Sequence, residues 1–288
     1  MTRAGEMNVA DPMMHNPTMD NPTMDNPMAR LSSLGEWVAD SSEVVLGPGM
    51  SGLVNWIDAK FVGFALKAGA RELPVSPLIE RSVLERAGYF ESFPAGVVEE
   101  SDGGCMTPAT CYHCYAKLAG SLLPEPGVWT CIARCRRNER TAEPGRLRTF
   151  TMREIVLVGP AAWVRERKQQ WMDRILAFAK SVQLIVELEP ATDPFFDRGE
   201  ARGRKLLQQI KELKHELRAQ VDAKGTQLAV SSFNLHEAFF SRRFGFGLAD
   251  GRDADSGCVA FGLERWALAL ALTLGPDGAF RLVEQEHG

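Results

Sequence analysis

Apolar residues along this chain follow the two spacings that distinguish helices from strands. In 52–70, "GLVNWIDAKFVGFALKAGA", and in 161–184, "AAWVRERKQQWMDRILAFAKSVQL", they recur every three or four residues. That spacing gathers apolar side chains on one side and predicts two amphipathic helices. The run "RWALALALTLG" follows a glycine-containing turn and predicts a third, buried helix.

Strand-like runs predict two hairpins. Residues 127–139 and 146–159 are rich in strand-forming residues, and the polar loop "RTAEPG" between them carries a Pro-Gly turn signal. Residues 216–236 turn at "DAKG", and 186–199 resemble a strand that ends in a loop. The order of elements predicts an α+β fold with an antiparallel sheet at its centre and helices packed against it.

Composition and termini limit the classes of function. Residues 1–30 repeat "NPTMD" with a proline in each repeat, so we expect a disordered tail followed by a single domain over 31–288. No apolar run reaches the roughly 20 residues of a membrane span, and the start lacks the apolar core of a secretory signal. We expect a cytoplasmic protein without a membrane partner. The formal charge of -4 provides no overall field for a polyanion such as tRNA.

Two arginines stand where an anion could be bound. Arg265 begins the buried helix next to Glu264, and a buried guanidinium needs an anion, which a phosphate or a neighbouring carboxylate can supply. Arg137 precedes Glu139 by two residues at the end of a strand, so both side chains point to the same face of the sheet.

Cysteine spacing leaves a metal-binding module as an alternative. Cys111, Cys114, Cys131 and Cys135 are spaced much as in a zinc ribbon. The stretch "CIARC" favours a strand because it has no turn-forming residue, which makes the ribbon the weaker interpretation. "CYHC" could also be a redox dithiol, but no thioredoxin-like pattern surrounds it.

The hairpin and the last helix resemble the catalytic core of class II aminoacyl-tRNA synthetases. "CRRNE" and "RTFTMREIVLVG" resemble the second motif of that family, and "GCVAFGLERW" resembles its third. The resemblance implies that Arg137 and Arg265 are the catalytic residues, holding the α-phosphate and the γ-phosphate of ATP. It also implies that Phe150 stacks on adenine and that Glu139 and Arg148 belong to the ATP site.

A narrower resemblance implies a metal site. Cys111 in "TPATCYHCY", Glu154 in "FTMREIV" and Cys258 in "SGCVAFGLER" are similar to the Cys, Glu and Cys ligands of atypical zinc-dependent seryl-tRNA synthetases. The resemblance implies a Zn2+ ion whose fourth tetrahedral position stays open for the amine of an amino acid. Because only the deprotonated amine coordinates zinc, we expect binding to weaken as pH falls.

Truncated homologues of those synthetases, the amino acid:[carrier protein] ligases, resemble this chain most. The resemblance covers roughly 73–275 without a tRNA-binding module, and "LERAGYFESFP", "ATDPFF" and "SSFNLHEAFFSRRFGF" strengthen it. It implies activation of a small amino acid, glycine and then alanine, with ATP and Mg2+, and transfer to the phosphopantetheine thiol of an acidic carrier protein. It also implies a homodimer formed around "LPVSPLIERSVLERAGYF". Aminoacylation of tRNA supplied in trans and a non-catalytic zinc module remain alternatives.

A basic helix over about 199–215 is expected to dock the carrier, with a solvated charged face as the alternative. Its basic residues are Arg202, Arg204, Lys205, Lys211 and Lys214.

Other residues are assigned by the same resemblance. Asn234, His236 and Glu216 are expected to bind substrate, with a hydrogen-bonded core histidine as the alternative for His236. Leu228 stands near the position of the usual magnesium carboxylate, so magnesium ligands are not assigned. Solvated positions are expected for His113 and His215.

Overall fold

A computed structural model describes residues 26–40, 43–93, 96–101, 103–138, 145–191 and 213–285. Its helices are α1 (Pro27–Ser33), α2 (Pro48–Lys67), α3 (Arg81–Ala87), α4 (Tyr89–Ser92), α5 (Cys111–Leu118), α6 (Ala161–Ser181), α7 (Phe239–Phe244), α8 (Leu263–Leu274) and α9 (Pro276–Glu284). Its strands are β1 (Trp37–Asp40), β2 (Glu43–Leu46), β3 (Arg71–Glu72), β4 (Leu78–Glu80), β5 (Gly104–Met106), β6 (Leu122–Leu123), β7 (Gly127–Arg136), β8 (Thr149–Gly159), β9 (Val186–Ala191), β10 (Lys214–Gln220), β11 (Gln227–Glu237), β12 (Gly247–Leu248) and β13 (Asp255–Gly262).

Seven strands form the central sheet in the order β3-β7-β8-β13-β11-β10-β9. All neighbours are antiparallel except β3 and β7, which run parallel. The predicted hairpins are β7 with β8 and β10 with β11. The second hairpin turns where Asp222 Oδ1 accepts hydrogen bonds from the backbone N–H groups of Lys224 and Thr226. The predicted α+β class is therefore confirmed.

One face of the sheet is covered by α2, α6 and α8, which form the larger hydrophobic core. Phe61 of α2 stacks on Phe261 of β13 with ring centroids 4.0 Å apart, and Trp266 of α8 meets Phe61 edge-on at 5.2 Å. These contacts account for the three predicted helices, because each places its apolar stripe on the sheet.

Among the described residues, only part of the opposite face of the sheet is covered. A smaller cluster that includes Tyr115 of α5 and Phe240 of α7 packs over one part of it. On β10, burial alternates, so that Leu217 faces the larger core while the charged side chains of Glu216 and Arg218 lie on this second face. The second face therefore has a polar floor beside a hydrophobic wall, which is the setting of the site described below.

Strand β8 buries two opposite charges on consecutive residues. Arg153 is 2% exposed and faces the helices, where its Nη2 donates to Asp58 Oδ2 of α2 at 2.8 Å, its Nε donates to Asp58 Oδ1, and its Nη1 donates to Thr130 Oγ1 at 3.0 Å. Glu154 is 2% exposed and faces the other side, opposite Cys131. Alternation along the strand thus sends the cation to the core and the carboxylate to the site.

Among the described strands, β9 ends the sheet on the side opposite β3. It contains Glu187, Glu189 and Pro190, and its inner neighbour is β10. Glu189 lies within 3.6 Å of Arg218 on β10. Charge and proline are therefore concentrated on this outer strand.

The N-terminal boundary differs from the expected one. Helix α1 begins at Pro27, with Asn26 as its side-chain cap, and its Leu31 is fully buried. The boundary predicted at residue 30 therefore falls inside a helix, while residues 1–25 lie outside the described part of the chain. No helix within the described ranges has both the length and the apolar character needed to cross a bilayer.

The Arg153–Asp58 pair predicts a large stability effect. Asp58→Asn removes the charge that compensates a guanidinium buried against α2, so we expect a loss of about 3 kcal/mol in the free energy of unfolding, measured by urea titration. Asp277→Asn, which breaks the exposed pair between Asp277 and Arg30, should cost less than about 1 kcal/mol. Equal losses in the two variants would contradict this account.

Candidate active site

Three side chains from separate elements meet on the second face of the sheet. Cys111 begins α5, Glu154 lies in the middle of β8, and Cys258 lies on β13. One sulfur or oxygen atom from each lies within 4.8 Å of the other two, and all three residues are buried. Because Glu154 is paired with Ala260, two residues beyond Cys258, the strand register alone places these two side chains on one face.

Two cysteine sulfurs and one carboxylate oxygen are ligands that zinc prefers. Two sulfurs bound to one tetrahedral zinc lie about 3.8 Å apart, since each Zn–S bond is about 2.3 Å, and this agrees with the observed grouping. The hydrogen bond to Cys258, and then burial, raises the pKa of the Cys111 thiol well above its usual value. A bound cation would therefore have to displace protons from these thiols.

Glu154 is held by the segment that leads into α5. Its Oε2 accepts hydrogen bonds from Thr110 Oγ1 at 2.8 Å and from the Cys111 backbone N–H at 2.7 Å. Thr110 Oγ1 in turn accepts from Cys131 Sγ at 3.2 Å. Burial raises the pKa of Cys131 to about 12, so this sulfur is a thiol donor.

Asn234 and His236 lie beside Cys258. Asn234 Nδ2 donates to Cys258 Sγ at 3.4 Å and to Ser232 Oγ at 3.2 Å. Asn234 is 9% exposed, and its Oδ1 has no hydrogen-bond partner in the described part of the chain. A buried carbonyl of this kind costs stability until a donor reaches it, which marks the position as one for a ligand or water.

His236 sits at an irregularity of β11. The register against β13 shifts between Leu235 and Glu237, and Glu237 adopts φ 51°, so His236 is the extra residue of a β-bulge. Its Nε2 lies 3.9 Å from Cys258 Sγ, and its Nδ1 lies 3.1 Å from the Tyr115 hydroxyl. Burial lowers the pKa of His236 to about 3, which keeps the imidazole neutral.

The predicted ATP residues that the structure describes lie at the loop end of the β7–β8 hairpin, where β7 ends and β8 begins. Arg137 Nε donates to Pro108 O at 3.0 Å, and its guanidinium lies 5.3 Å from the centroid of the Phe150 ring. Arg148 Nη2 lies 3.5 Å from Asn138 Oδ1. Glu139, predicted to act with Arg137, lies outside the described residues.

Arg265 and Glu264 begin α8 with different partners. Arg265 Nε donates to Gly145 O and Nη1 to Ala229 O, each at 3.0 Å, which ties the start of α8 to β11 and to the segment before β8. Glu264 is 2% exposed and accepts from the backbone N–H and hydroxyl of Thr151 at 2.8 Å each. Glu264 therefore fastens α8 to β8, while Arg265 binds backbone carbonyls of Gly145 and β11.

Lys214 does not lie on a helix as predicted. It begins β10, is paired with Asn234 across the sheet, and its Nζ lies 3.4 Å from Glu216 Oε1. The prediction extended the helical run "KELK" too far, because strand pairing overrides helix propensity here. Glu216 lies on the polar floor, also within 3.7 Å of Arg218. Of the predicted docking helix, the other four residues, Arg202, Arg204, Lys205 and Lys211, lie outside the described chain.

The ribbon alternative is not supported by the geometry. In the described residues, a grouping of three potential metal ligands occurs once, at Cys111, Glu154 and Cys258, and it contains neither Cys114 nor Cys135. All six cysteines are buried and unpaired by disulfides. Leu228, which stands near the position of the usual magnesium carboxylate, packs in the larger core. Its hydrocarbon side chain has no atom that could bind magnesium.

Both histidines expected in solvent have partners. His113 Nε2 lies 3.0 Å from Thr107 Oγ1, and buried His215 Nδ1 lies 3.0 Å from Lys168 Nζ. Sequence reasoning also missed Thr110 and Tyr115 as neighbours of the metal ligands. A threonine in front of a helix predicts only a helix cap, so the sequence carried no signal for its contact with Glu154.

The chain is similar to two curated proteins of Bradyrhizobium diazoefficiens. Amino acid:[acyl-carrier-protein] ligase 1 is 32% identical over 242 residues, which cover 73% of this chain and 74% of the relative. Amino acid:[acyl-carrier-protein] ligase 2 is 33% identical over 235 residues, which cover 70% of each. No protein-family model matches the chain.

A solved structure supports the fold. The M. kandleri seryl-tRNA synthetase, crystallised with A. aeolicus tRNASec, superposes with a TM-score of 0.77 at 16% identity. The match covers 91% of this chain and 60% of the synthetase chain, so this chain spans somewhat less than two thirds of that chain. The predicted class II synthetase-like core is confirmed by this likeness, which concerns the fold alone.

The cluster predicts that metal content depends on particular cysteines of α5. Cys111→Ala should reduce bound zinc from about one ion per chain to a trace, because two ligands rarely hold zinc in place of three. Cys114→Ala removes another buried sulfur from the same helix and should retain the ion. Metal analysis of the purified, dialysed variants measures both, and equal metal content in the two would contradict the assigned ligand set.

Proposed function

This chain belongs to the family of amino acid:[acyl-carrier-protein] ligases, and from that premise we propose that it activates a small amino acid with ATP and transfers it to a carrier protein. Glycine is the first proposed substrate and alanine the second. The acceptor is the phosphopantetheine thiol of an acidic carrier. The observation that carries this proposal is the grouping of Cys111, Glu154 and Cys258 beside the unpartnered carbonyl of Asn234.

The metal site provides a binding position for an amine. Zn2+ bound by two thiolates and one carboxylate would offer a fourth, electrophilic position that takes a neutral amine. A ligating thiolate cannot donate a hydrogen bond, so Asn234 must turn Nδ2 toward Cys258 and leave Oδ1 as a free acceptor. That oxygen is suited to an N–H of the bound amine. Because burial keeps His236 neutral, its ring adds no second positive charge beside the bound ion.

The arginines supply the charge that the adenylation step needs. Attack of the amino acid carboxylate on the α-phosphorus of ATP forms the aminoacyl adenylate and releases pyrophosphate. Arg137 and Arg265 would neutralise the α-phosphate and the γ-phosphate, and fixed cations in a partly desolvated site require no rearrangement during the reaction. Phe150 is proposed to stack on adenine, with Arg148 and Glu139 completing the ATP site. Mg2+ would accompany ATP, without an assigned protein carboxylate.

The two halves of the site share one segment of chain. Arg137 donates to Pro108 O, and Arg136 N donates to Thr107 O at 2.9 Å, while Cys111 follows three residues after Pro108. A shift of this segment would therefore move the phosphate-binding arginine and a metal ligand together. This shared contact supports the proposal that ATP and the amino acid bind in one site.

Transfer completes the proposed reaction. The carrier thiol attacks the carbonyl carbon of the adenylate, a thioester forms, and AMP leaves. We propose that the carrier docks on the basic segment 199–215 through Arg202, Arg204, Lys205 and Lys211, since acidic carriers favour a basic surface. Glu216 on the polar floor is proposed to contact a substrate group. A homodimer formed around residues 73–90 remains part of the proposal.

The first test is amino-acid-dependent ATP–pyrophosphate exchange with glycine, alanine and serine. We expect exchange that stops on zinc chelation and returns with zinc, and a loss of at least about 100-fold in Arg137→Ala and Arg265→Ala, as for removal of one transition-state contact. Arg242→Ala, which affects an exposed arginine paired with Asp253, should retain activity.

The absence of exchange with every amino acid, in protein shown to hold zinc, would contradict adenylation. Where exchange occurs, labelled amino acid offered to a phosphopantetheinylated carrier and to tRNA identifies the acceptor. Labelling of tRNA alone would contradict the carrier and support the alternative of aminoacylation in trans.

A pH dependence follows from amine coordination. The free amino acid carries an ammonium group near neutral pH and must lose one proton on binding the metal. The KM for the amino acid should therefore rise by up to about tenfold for each unit by which pH falls through roughly 8 to 6. The KM for ATP should not follow this slope. A constant KM for the amino acid over this range would argue against coordination of its amine.

A further inference from the structure

Thr110 occupies a helix-capping position but does not cap its helix. It precedes Cys111, the first residue of α5, and its side chain makes no capping hydrogen bond. A threonine used as a cap stabilises its helix, and α5 forgoes that contribution here. The hydroxyl, fully buried, instead donates to Glu154 Oε2 at 2.8 Å.

The other donor to that oxygen is the first N–H of the same helix. The Cys111 backbone N–H reaches Glu154 Oε2 at 2.7 Å. A carboxylate oxygen has about two lone-pair directions, so two donors fill Oε2. Oε1 is the oxygen left for a cation.

The direction of the Thr110 hydroxyl is fixed from its other side. Cys131 Sγ lies 3.2 Å from Thr110 Oγ1, on the strand position opposite Glu154. An ionised carboxylate only accepts hydrogen bonds, so the Thr110 proton must point to Glu154 and the Cys131 S–H must point to Thr110. The three groups form a chain of hydrogen bonds with one possible direction.

We propose that Thr110 is a positioning residue that keeps Glu154 as a one-oxygen metal ligand and so keeps the fourth coordination position open for the substrate amine. A carboxylate freed from this hold could turn both oxygens toward the metal and occupy that position itself. Cys131 acts through Thr110 and is not a ligand. This inference rests on the proposed function in one respect, namely that the fourth coordination position of the metal binds the amine of the substrate.

Zinc-edge X-ray absorption on the full-length, zinc-loaded chain tests this proposal. Thr110→Val keeps the shape of the side chain and removes the hydroxyl, and Thr110→Ser keeps the hydroxyl. Thr107→Val is the matched control, because Thr107 is equally buried, lies in the same segment, and bonds to Ser76 O and His113 instead.

Without amine the fourth position holds a water, which a second Glu154 oxygen would displace, so the number of oxygen ligands stays the same. We expect the Thr110→Val spectrum to change because both Glu154 oxygens bind and bring the carboxylate carbon closer to the zinc. The spectra of Thr110→Ser and Thr107→Val should match that of the wild type. Glycine, as the probe amine, should change the wild-type spectrum. In Thr110→Val, half of the spectral change should need at least about tenfold more glycine, an effect of the size seen when a hydrogen-bond partner of a metal ligand is removed. An unchanged spectrum together with an unchanged glycine response in Thr110→Val would overturn the proposal. The same changes in Thr107→Val would also overturn it, because they would report general packing.

A crystal structure of the metal-loaded wild type decides the question if Thr110→Val does not fold. Coordination by Glu154 Oε1 alone supports the proposal, and coordination by both oxygens or by Oε2 refutes it. Failure of the proposed function is distinguishable, because exchange could be absent with every amino acid while the zinc-edge spectrum of Thr110→Val still differs from that of the wild type. A wild type that takes up no metal would refute the role of Thr110 whatever the exchange assay shows.

Discussion

The constraint on which the structure depends is the register of β8, which buries a cation and a carboxylate on consecutive residues. Arg153 requires Asp58 on the helix side, and Glu154 requires Thr110 and the start of α5 on the other. If the pairing of β8 shifted by one residue, Arg153 and Glu154 would each point to the other face of the sheet. Both charges would then be buried without partners, at a cost of several kcal/mol for each. The core and the site therefore fix the same strand from opposite faces.

The start of α5 links this strand to the rest of the site. One residue there, Cys111, offers its backbone N–H to Glu154 and its sulfur to the metal grouping, while the preceding Pro108 accepts from Arg137. The positive end of the helix also favours a carboxylate at this point. A second buried carboxylate, Glu264, plays a similar part at α8, where it accepts a hydrogen bond from the Thr151 backbone N–H and so holds the helix that carries Arg265. Both functional helices are thus positioned by carboxylates at or near their first turns.

The sequence predicted the parts of this arrangement that obey a simple period. Helices α2, α6 and α8 and both hairpins were predictable because apolar spacing and turn residues reflect burial directly. The metal ligands are separated by more than 40 residues and were assigned through resemblance, since spacing alone favoured the cysteines of the ribbon. Lys214 was misplaced because a strand partner, Asn234, overrides local helix preference. Thr110 was missed because a hydroxyl's acceptor is set by tertiary contacts that no local pattern encodes.

Among the strands that the structure describes, β9 is the outer one on the side away from β3, and this position bears on how the sheet behaves next to other proteins. The last strand of a sheet presents unpaired backbone groups to which a foreign strand can add, the first step toward aggregation. β9 carries Glu187 and Glu189, and Pro190 has no N–H to donate. An incoming strand would meet carboxylates and a gap in its hydrogen-bond ladder. The same short sequence that completes the sheet therefore also resists its extension into a fibril.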